Sequence, residues 1–177
     1  MSAKSTATRY GSVAIAIHWL SALLIVALFA TGLLAAAQVD PAAKLALLRA
    51  HLPFGAGALL LTLLRIVWWL AIDRRPALPA DQPGWQRAMA KVVHLLLYGI
   101  VLVTAASGIA TVILSGALPA ILGSATLPDL ETVLPRAVHG LAARVLLVLL
   151  ALHIGAAFYH QFIRKDRLLG RMGIGAA

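Results

Sequence analysis

Six histidines are the residues of this chain whose chemistry stands out: His18, His51, His94, His139, His153 and His160. All lie in or beside long apolar stretches, and those stretches contain no Asp or Glu. An ionisable side chain in hydrocarbon is costly and marks a functional site. A neutral imidazole can hydrogen-bond, carry a proton near neutral pH, or ligate zinc, copper or haem iron. One such histidine is readily explained as an interhelical hydrogen bond or a polar helix end. Six in one small chain require a shared explanation. The chain has no cysteine, which excludes disulfides, thiolate zinc sites, cysteine-ligated iron–sulfur clusters and covalently attached haem.

The elements that must position these histidines follow from composition. Of 177 residues, 62% are apolar and 12% charged, about half the charged share of a soluble domain. Such a chain cannot cover a soluble globule with polar surface and belongs in a bilayer. Four apolar stretches can each span about 30 Å of hydrocarbon: Val13–Ala37, about Leu45–Ile72, Val92–Leu114 and about Ala137–Phe162. The first far exceeds a signal-peptide core of about 7–15 residues. None shows the alternation of a membrane-spanning strand. The expected fold is an all-α, up-down bundle of four transmembrane helices, about 13–37, 45–72, 87–114 and 136–163, in a single domain covering 1–177. No internal repeat stands out. The proline-rich loop Asp73–Trp85 continues neither of its flanking helices. The segment ALPAILG in the last connection, Ser115–Pro135, is too short to span and is expected at the outer interface or over the bundle mouth.

Basic residues set the orientation. Lys4, Arg9, Arg74, Arg75, Arg87, Lys91, Arg164, Lys165, Arg167 and Arg171 fall on one side. Only Lys44, Arg49 and Arg136 fall on the other, beside Asp40, Asp129 and Glu131. Ten against three predicts both termini in the cytoplasm. The net charge of +9 then reflects topology and not nucleic-acid binding.

Depth sorts the histidines. His139 and His153 are fourteen residues apart, which on a helix returns within about 40° and rises about 21 Å. They face one way, at two levels. Topology puts His51 with His139 at the outer level, and His18 and His94 with His153 at the inner level. A zinc site would need three or four converging ligands. The outer layer offers two histidines, and two opposed imidazoles are what six-coordinate haem b takes, because its porphyrin supplies the other four nitrogens. The small residues Gly55, Gly57, Gly140, Ala142 and Ala143 leave room for a ring or let helices pack closely. Arg65, fourteen after His51, sits on the same face at the inner level, where it can pair with a haem propionate or snorkel to the interface. Arg144 is a weaker second candidate for a propionate.

The opening RYGSVAIAIHWLSALLIVALFATG, His51 with Gly55 and Arg65, MAKVVHLLLYGIVLVTAASG and HGLAARVLLVLLALHIGAAFYHQFIRKDRLLGRM resemble, in order, the four helices of bacterial cytochrome b561 proteins. That resemblance implies two b-type haems per chain and exchange of electrons with ubiquinone or another membrane quinone. It places the ligands on His18, His51, His139 and His153, paired His51–His139 and His18–His153. His94 becomes a neighbour of the inner haem, a possible propionate contact and the rival inner ligand. His160 would sit at the cytoplasmic mouth as hydrogen-bond partner or proton donor to quinone. Relatives of this size include a superoxide:ubiquinone oxidoreductase, so superoxide or another outer-side donor is implied. Larger relatives anchor hydrogenases and formate dehydrogenases, and the alternative role is such an anchor with a partner redox subunit. A small transporter or metal permease using the histidines is a third, weaker alternative. The outer loops carry as many acids as bases, so their composition promises no strong field to steer an anion.

Overall fold

The computed structural model describes residues 2–77, 82–123 and 126–175. Part of the proline-rich loop (78–81) and two residues of the last connection (124–125) lie outside the described residues. Four long helices can span a membrane. These are α1 (Ser12–Ala37), α2 (Pro41–Val67, continued by a π-helical turn Trp68–Ile72), α3 (Gly84–Leu114) and α5 (Leu134–Phe158, continued by a π-helical turn Tyr159–Arg164). Two short helices, α4 (Leu118–Ile121) and α6 (Leu168–Arg171), sit at opposite ends. In hydrocarbon, backbone N–H and C=O groups must pair within their own segment, which is why the apolar stretches are helical throughout.

α2 begins a few residues earlier than apolarity alone suggests, because a polar cap starts it. Asp40 accepts from the N–H groups of Ala42 (3.3 Å) and Ala43 (3.1 Å), and Pro41 occupies the first turn. There its fixed φ suits a helix and its missing N–H costs nothing. Pro83 and Val133 precede α3 and α5 in the same non-helical role.

α1 packs chiefly on α2 and α3 on α5, so the bundle is two helical hairpins set side by side. Its most buried residues are small: Ala14, Ala35, Ala58 and Ala142, with Ser21, Thr62, Ser107 and Thr111. Each of these hydroxyls donates to a carbonyl one turn back in its own helix, at 2.6–2.8 Å. They can therefore lie inside without an unmet donor. Among the described residues no large side chain is fully buried, which leaves the bundle interior with room.

Two polar structures close the ends. On the loop side, ALPAILG forms α4 and buries Ala117, Ala120 and Ile121. Arg49 holds it there, donating from Nε to Ile121 O (2.9 Å) and from Nη2 to Ala120 O (3.1 Å). On the side of the termini, the leading segment, the loop after α2 and the C-terminal tail are tied together. Asp73 accepts from Ser5 N (3.0 Å), Ser5 Oγ (2.8 Å) and Trp68 Nε1 (3.2 Å). Arg171 donates to Thr8 O (2.8 Å) and Ala77 O (2.6 Å). Gly11 is required here, because a Cβ would lie 2.3 Å from Ala3 O.

Burial alone would raise the Asp73 carboxyl, but the donors from Ser5, Arg74 and Trp68 outweigh it and hold it below the ordinary carboxylate value of 3.8. A carboxyl depressed by folding contributes stability above its unfolded value and loses it as pH falls through the lower, folded one. The clasp on residues 5–11 should therefore be constant above about pH 5 and loosen on acidification below about pH 4. Hydrogen exchange of this segment would show it, and Asp73→Asn should loosen the segment at every pH and flatten the profile.

Candidate functional site

The two hairpins each bring one histidine to the loop-side level, and these meet. The rings of His51 (α2) and His139 (α5) stand with centroids 6.2 Å apart and planes 76° to each other. Both line an apolar cleft with roughly 570 Å³ of unfilled space, its open mouth included, walled by Gly55, Ala58, Ala143 and Leu146. The Thr31 hydroxyl donates to Ala27 O (2.8 Å), so toward His51 Nδ1, 2.9 Å away, its oxygen accepts. His139 Nδ1 donates to Thr104 O (2.8 Å). Both rings thus carry their proton on Nδ1, which leaves the lone pair on Nε2. This is the tautomer a metal-binding imidazole needs.

Glycine sets the closeness of that support. A Cβ on Gly32 would lie 3.1 Å from His51 Cε1, and one on Gly108 would lie 3.1 Å from both Cε1 and Nδ1 of His139. The two hairpins share one spacing of these residues. His18 precedes the Thr31–Gly32 pair as His94 precedes Ser107–Gly108, each glycine fourteen residues on. His51 precedes Arg65 by fourteen, as His139 precedes His153. Each hairpin repeats the pattern, with Arg65 standing where the second has a histidine. The exchanges of Thr for Ser and of Arg for His, with the longer last connection, make this shared spacing inconspicuous.

The second layer holds four polar groups. His18 and His153 have ring centroids 6.3 Å apart, and His94 and His153 are closer at 5.4 Å. His94 Nδ1 donates to Ala90 O. Arg65 Nη1 lies 3.0 Å from His18 Nδ1, its guanidinium stands 5.8 Å from the Tyr98 ring, and its buried Nε has no partner. Among the described residues no three His, Cys, Asp or Glu side chains converge as a metal cluster, so the histidines are organised as facing pairs.

Some small residues fall elsewhere than expected. Gly55 and Ala143 wall the cleft, but Gly57 faces Leu24 and Gly140 faces Arg136. Arg144 is exposed on the outside of α5 and points away from both histidine layers. His160 lies in the π-helical turn, where its Nδ1 donates to Asp166 Oδ2 at 2.5 Å, each side chain only 12% exposed. Asp166 was invisible as a site residue in the sequence, because it lies in a charged tail six positions beyond His160. Thr31, Gly32, Thr104 and Gly108 were missed for the same kind of reason: each matters only through a neighbouring helix.

A family model described as prokaryotic cytochrome b561 matches residues 9–175. The chain belongs to that family. Cytochrome b561 homolog 1 of Escherichia coli (strain K12) is 28% identical over 177 residues, covering 93% of this chain and 96% of the relative. Homolog 2 of the same organism is 30% identical over 184 residues, covering 97% and 95%. Together with the four spanning helices, family membership makes this a multi-pass bacterial membrane cytochrome b that carries b-type haem and transfers electrons.

The residues fit such a group. An ion held between two imidazole nitrogens at a usual metal–nitrogen distance of roughly 2.0–2.1 Å separates their ring centroids by about 6.3 Å. His51–His139 (6.2 Å) and His18–His153 (6.3 Å) meet that spacing, and His94–His153 (5.4 Å) is too close. The cleft beside His51 and His139 is apolar enough for a porphyrin face, and the unpartnered Nε of Arg65 suits a carboxylate.

The glycine cradles generate a test. Gly108→Ala should push His139 by a few tenths of an ångström and alter the visible and electron-paramagnetic-resonance signature of one haem centre, with helicity unchanged. Gly99→Ala, whose Cβ meets nothing within 4 Å, should leave both signals as they are.

Proposed function

We propose that this cytochrome passes electrons through two bis-histidine b haems, His51–His139 and His18–His153, between a donor on the loop side and a quinone on the side of the termini. The observation that carries the reading is the pair of cross-hairpin ring separations, 6.2 and 6.3 Å, both equal to the span of one ion held between two imidazoles. His51 with His139 and His18 with His153 would hold the haems, which would supply reversible one-electron chemistry. The chain's own residues then orient, insulate and tune. Thr31 and Thr104 hold the loop-side imidazoles by Nδ1, which fixes the rings and raises their basicity as ligands.

In the other layer, spacing favours His18 opposite His153, while the tautomer at Nδ1 favours His94. Spacing is set by helix positions, whereas the Arg65 guanidinium rides on a flexible stem. By turning from His18 Nδ1 to a propionate, Arg65 frees His18 to take the required tautomer. His94 is then a close neighbour and not a ligand.

The quinone end rests on His160. With Nδ1 donating to Asp166, Nε2 is the nitrogen left to meet a quinone oxygen, and a proton given from Nε2 leaves the ring neutral with Nδ1–H still on Asp166. Phe158 and Phe162 are 53% and 65% exposed on the same stretch, which offers an apolar approach from lipid. The basic residues grouped on this side support placing it, and both termini, in the cytoplasm. On the donor side Arg136 is paired with Glu131 at 3.0 Å, so Lys44 and Arg49 supply what unpaired positive charge an anion such as superoxide would meet. Electron transfer to quinone does not depend on that donor. No loop is large enough to favour the anchor-subunit reading, and a stable partner on purification would be its signature.

Two outcomes follow. Alanine at His51 or His139 should remove one haem per chain and leave the other, and alanine at His18 or His153 should do the reverse, as read by haem-to-protein ratio and redox titration. His94→Ala should keep both; loss of a haem there with retention in His18→Ala would reassign the ligand. His160→Gln should keep both haem spectra and their reduction by donor, yet slow reoxidation by added ubiquinone by about 10²-fold or more, the usual worth of a positioned proton donor.

A further inference from the structure

On the face that carries both termini, a cleft of about 350 Å³ opens between the leading segment and the C-terminal tail, lined by Thr8, Arg9, Asp166, Arg167 and Arg171. It is separate from the histidine layers and from the loop-side cleft. Three guanidiniums face it against one carboxylate, and that carboxylate is engaged by His160.

Two of the three guanidiniums are not engaged elsewhere. Among the described residues, Arg9 and Arg167 are exposed and have no side-chain hydrogen bond or ion pair. Arg171 is half-buried and held in place by the carbonyls of Thr8 and Ala77. Neither carbonyl carries a charge that would neutralise it. Like charges held together repel, so a lasting cluster of this kind implies an anionic occupant. The backbone is also bent to build it: Lys165 and Arg167 both adopt φ +57°, a left-handed conformation that non-glycine residues avoid. That strain turns the chain sharply on either side of Asp166 and puts Arg167 on the cleft.

The position chooses the anion. Phe162 and Ile163, just before the strained turn, are 65% and 69% exposed. Trp19 donates from Nε1 to Met172 O (3.0 Å), tying the tail to an aromatic ring of the kind that sits at headgroup level. The cleft therefore lies near where hydrocarbon gives way to headgroups, with exposed apolar side chains a few residues before it in the chain and guanidiniums lining it. Arginine forks match phosphate oxygens in geometry as well as charge.

We propose that this cleft is a binding site for the phosphodiester headgroup of an anionic phospholipid, held by Arg9, Arg167 and Arg171 with its acyl chains against Phe162 and Ile163. The lipid would sit next to Asp166, and so one hydrogen bond from His160. Occupancy of the site would then hold the tail that carries both residues.

The test uses the full-length, haem-loaded protein released from bilayers of equal phosphatidylglycerol and phosphatidylcholine and weighed intact with its retained lipid. Wild-type protein should keep phosphatidylglycerol in preference. Arg9→Gln/Arg167→Gln should lower that preference by about 30-fold, at the usual worth of a basic residue near an anionic surface. Arg74→Gln/Lys91→Gln removes the same charge from the same face outside the cleft and should change it little. Arg167→Gly removes one charge while suiting the positive φ, so it should weaken retention without threatening the fold. Equal loss in the two double variants would mean diffuse attraction and overturn the site, as would retention unchanged in Arg9→Gln/Arg167→Gln. Displacement of the lipid by millimolar inorganic phosphate would make the ligand a free anion and overturn the lipid assignment.

Discussion

Everything in this protein turns on the cost of keeping imidazoles in hydrocarbon. A histidine between transmembrane helices must have both ring nitrogens answered, and the spanning segments contain no Asp or Glu to answer them. At the loop-side level, neutral partners supplied by a neighbouring helix answer Nδ1: a threonine hydroxyl for His51 and a main-chain carbonyl for His139. That arrangement leaves the lone pair of each ring on Nε2, the form a metal-binding imidazole needs. The helices must come close enough for the partners to reach, so glycine stands at positions 32 and 108 and the interior is built of Ala, Ser and Thr.

The same demand explains the duplicated plan. Each hairpin carries a histidine at one depth, a hydroxyl–glycine pair fourteen residues on, and a second histidine opposite that pair. Setting two such hairpins side by side pairs His51 with His139. At the other level the plan is broken, because the first hairpin has Arg65 where the second has His153. That exchange leaves three histidines and one arginine in the layer. A permanent cation beside them suits a cofactor whose edge bears carboxylates, and haem b is the cofactor of this family.

The ends differ as their tasks differ. On the loop side a short apolar helix is latched by Arg49 over a bundle mouth that offers few titratable groups. On the other side two spanning helices finish in π-helical turns, and Asp73 and Asp166 catch what those turns present, Trp68 and His160. Widened turns of this kind are rare and occur mostly at functional sites. Here one of them carries the histidine proposed to meet quinone, within a clasp made of both chain termini.

How much of this was legible beforehand depends on the range of the interaction involved. Helix count, membrane placement and the two depths of histidine follow from the sequence alone, because apolar run length, 100° per residue and 1.5 Å per residue are local properties of a single helix. The facing of His51 and His139 followed from those depths plus short connections. What only the tertiary structure decided is every contact that depends on which helix lies alongside which. It set His18 at 6.3 Å and His94 at 5.4 Å from His153, although both occupy one level. It made Gly32 and Gly108 the cradles and sent Gly57 and Gly140 to face other neighbours. It turned Arg144 outward and brought Asp166 onto His160. A helix's own periodicity says which residues share a face, but the distance across to the next helix is set by packing, and ligation depends on that distance.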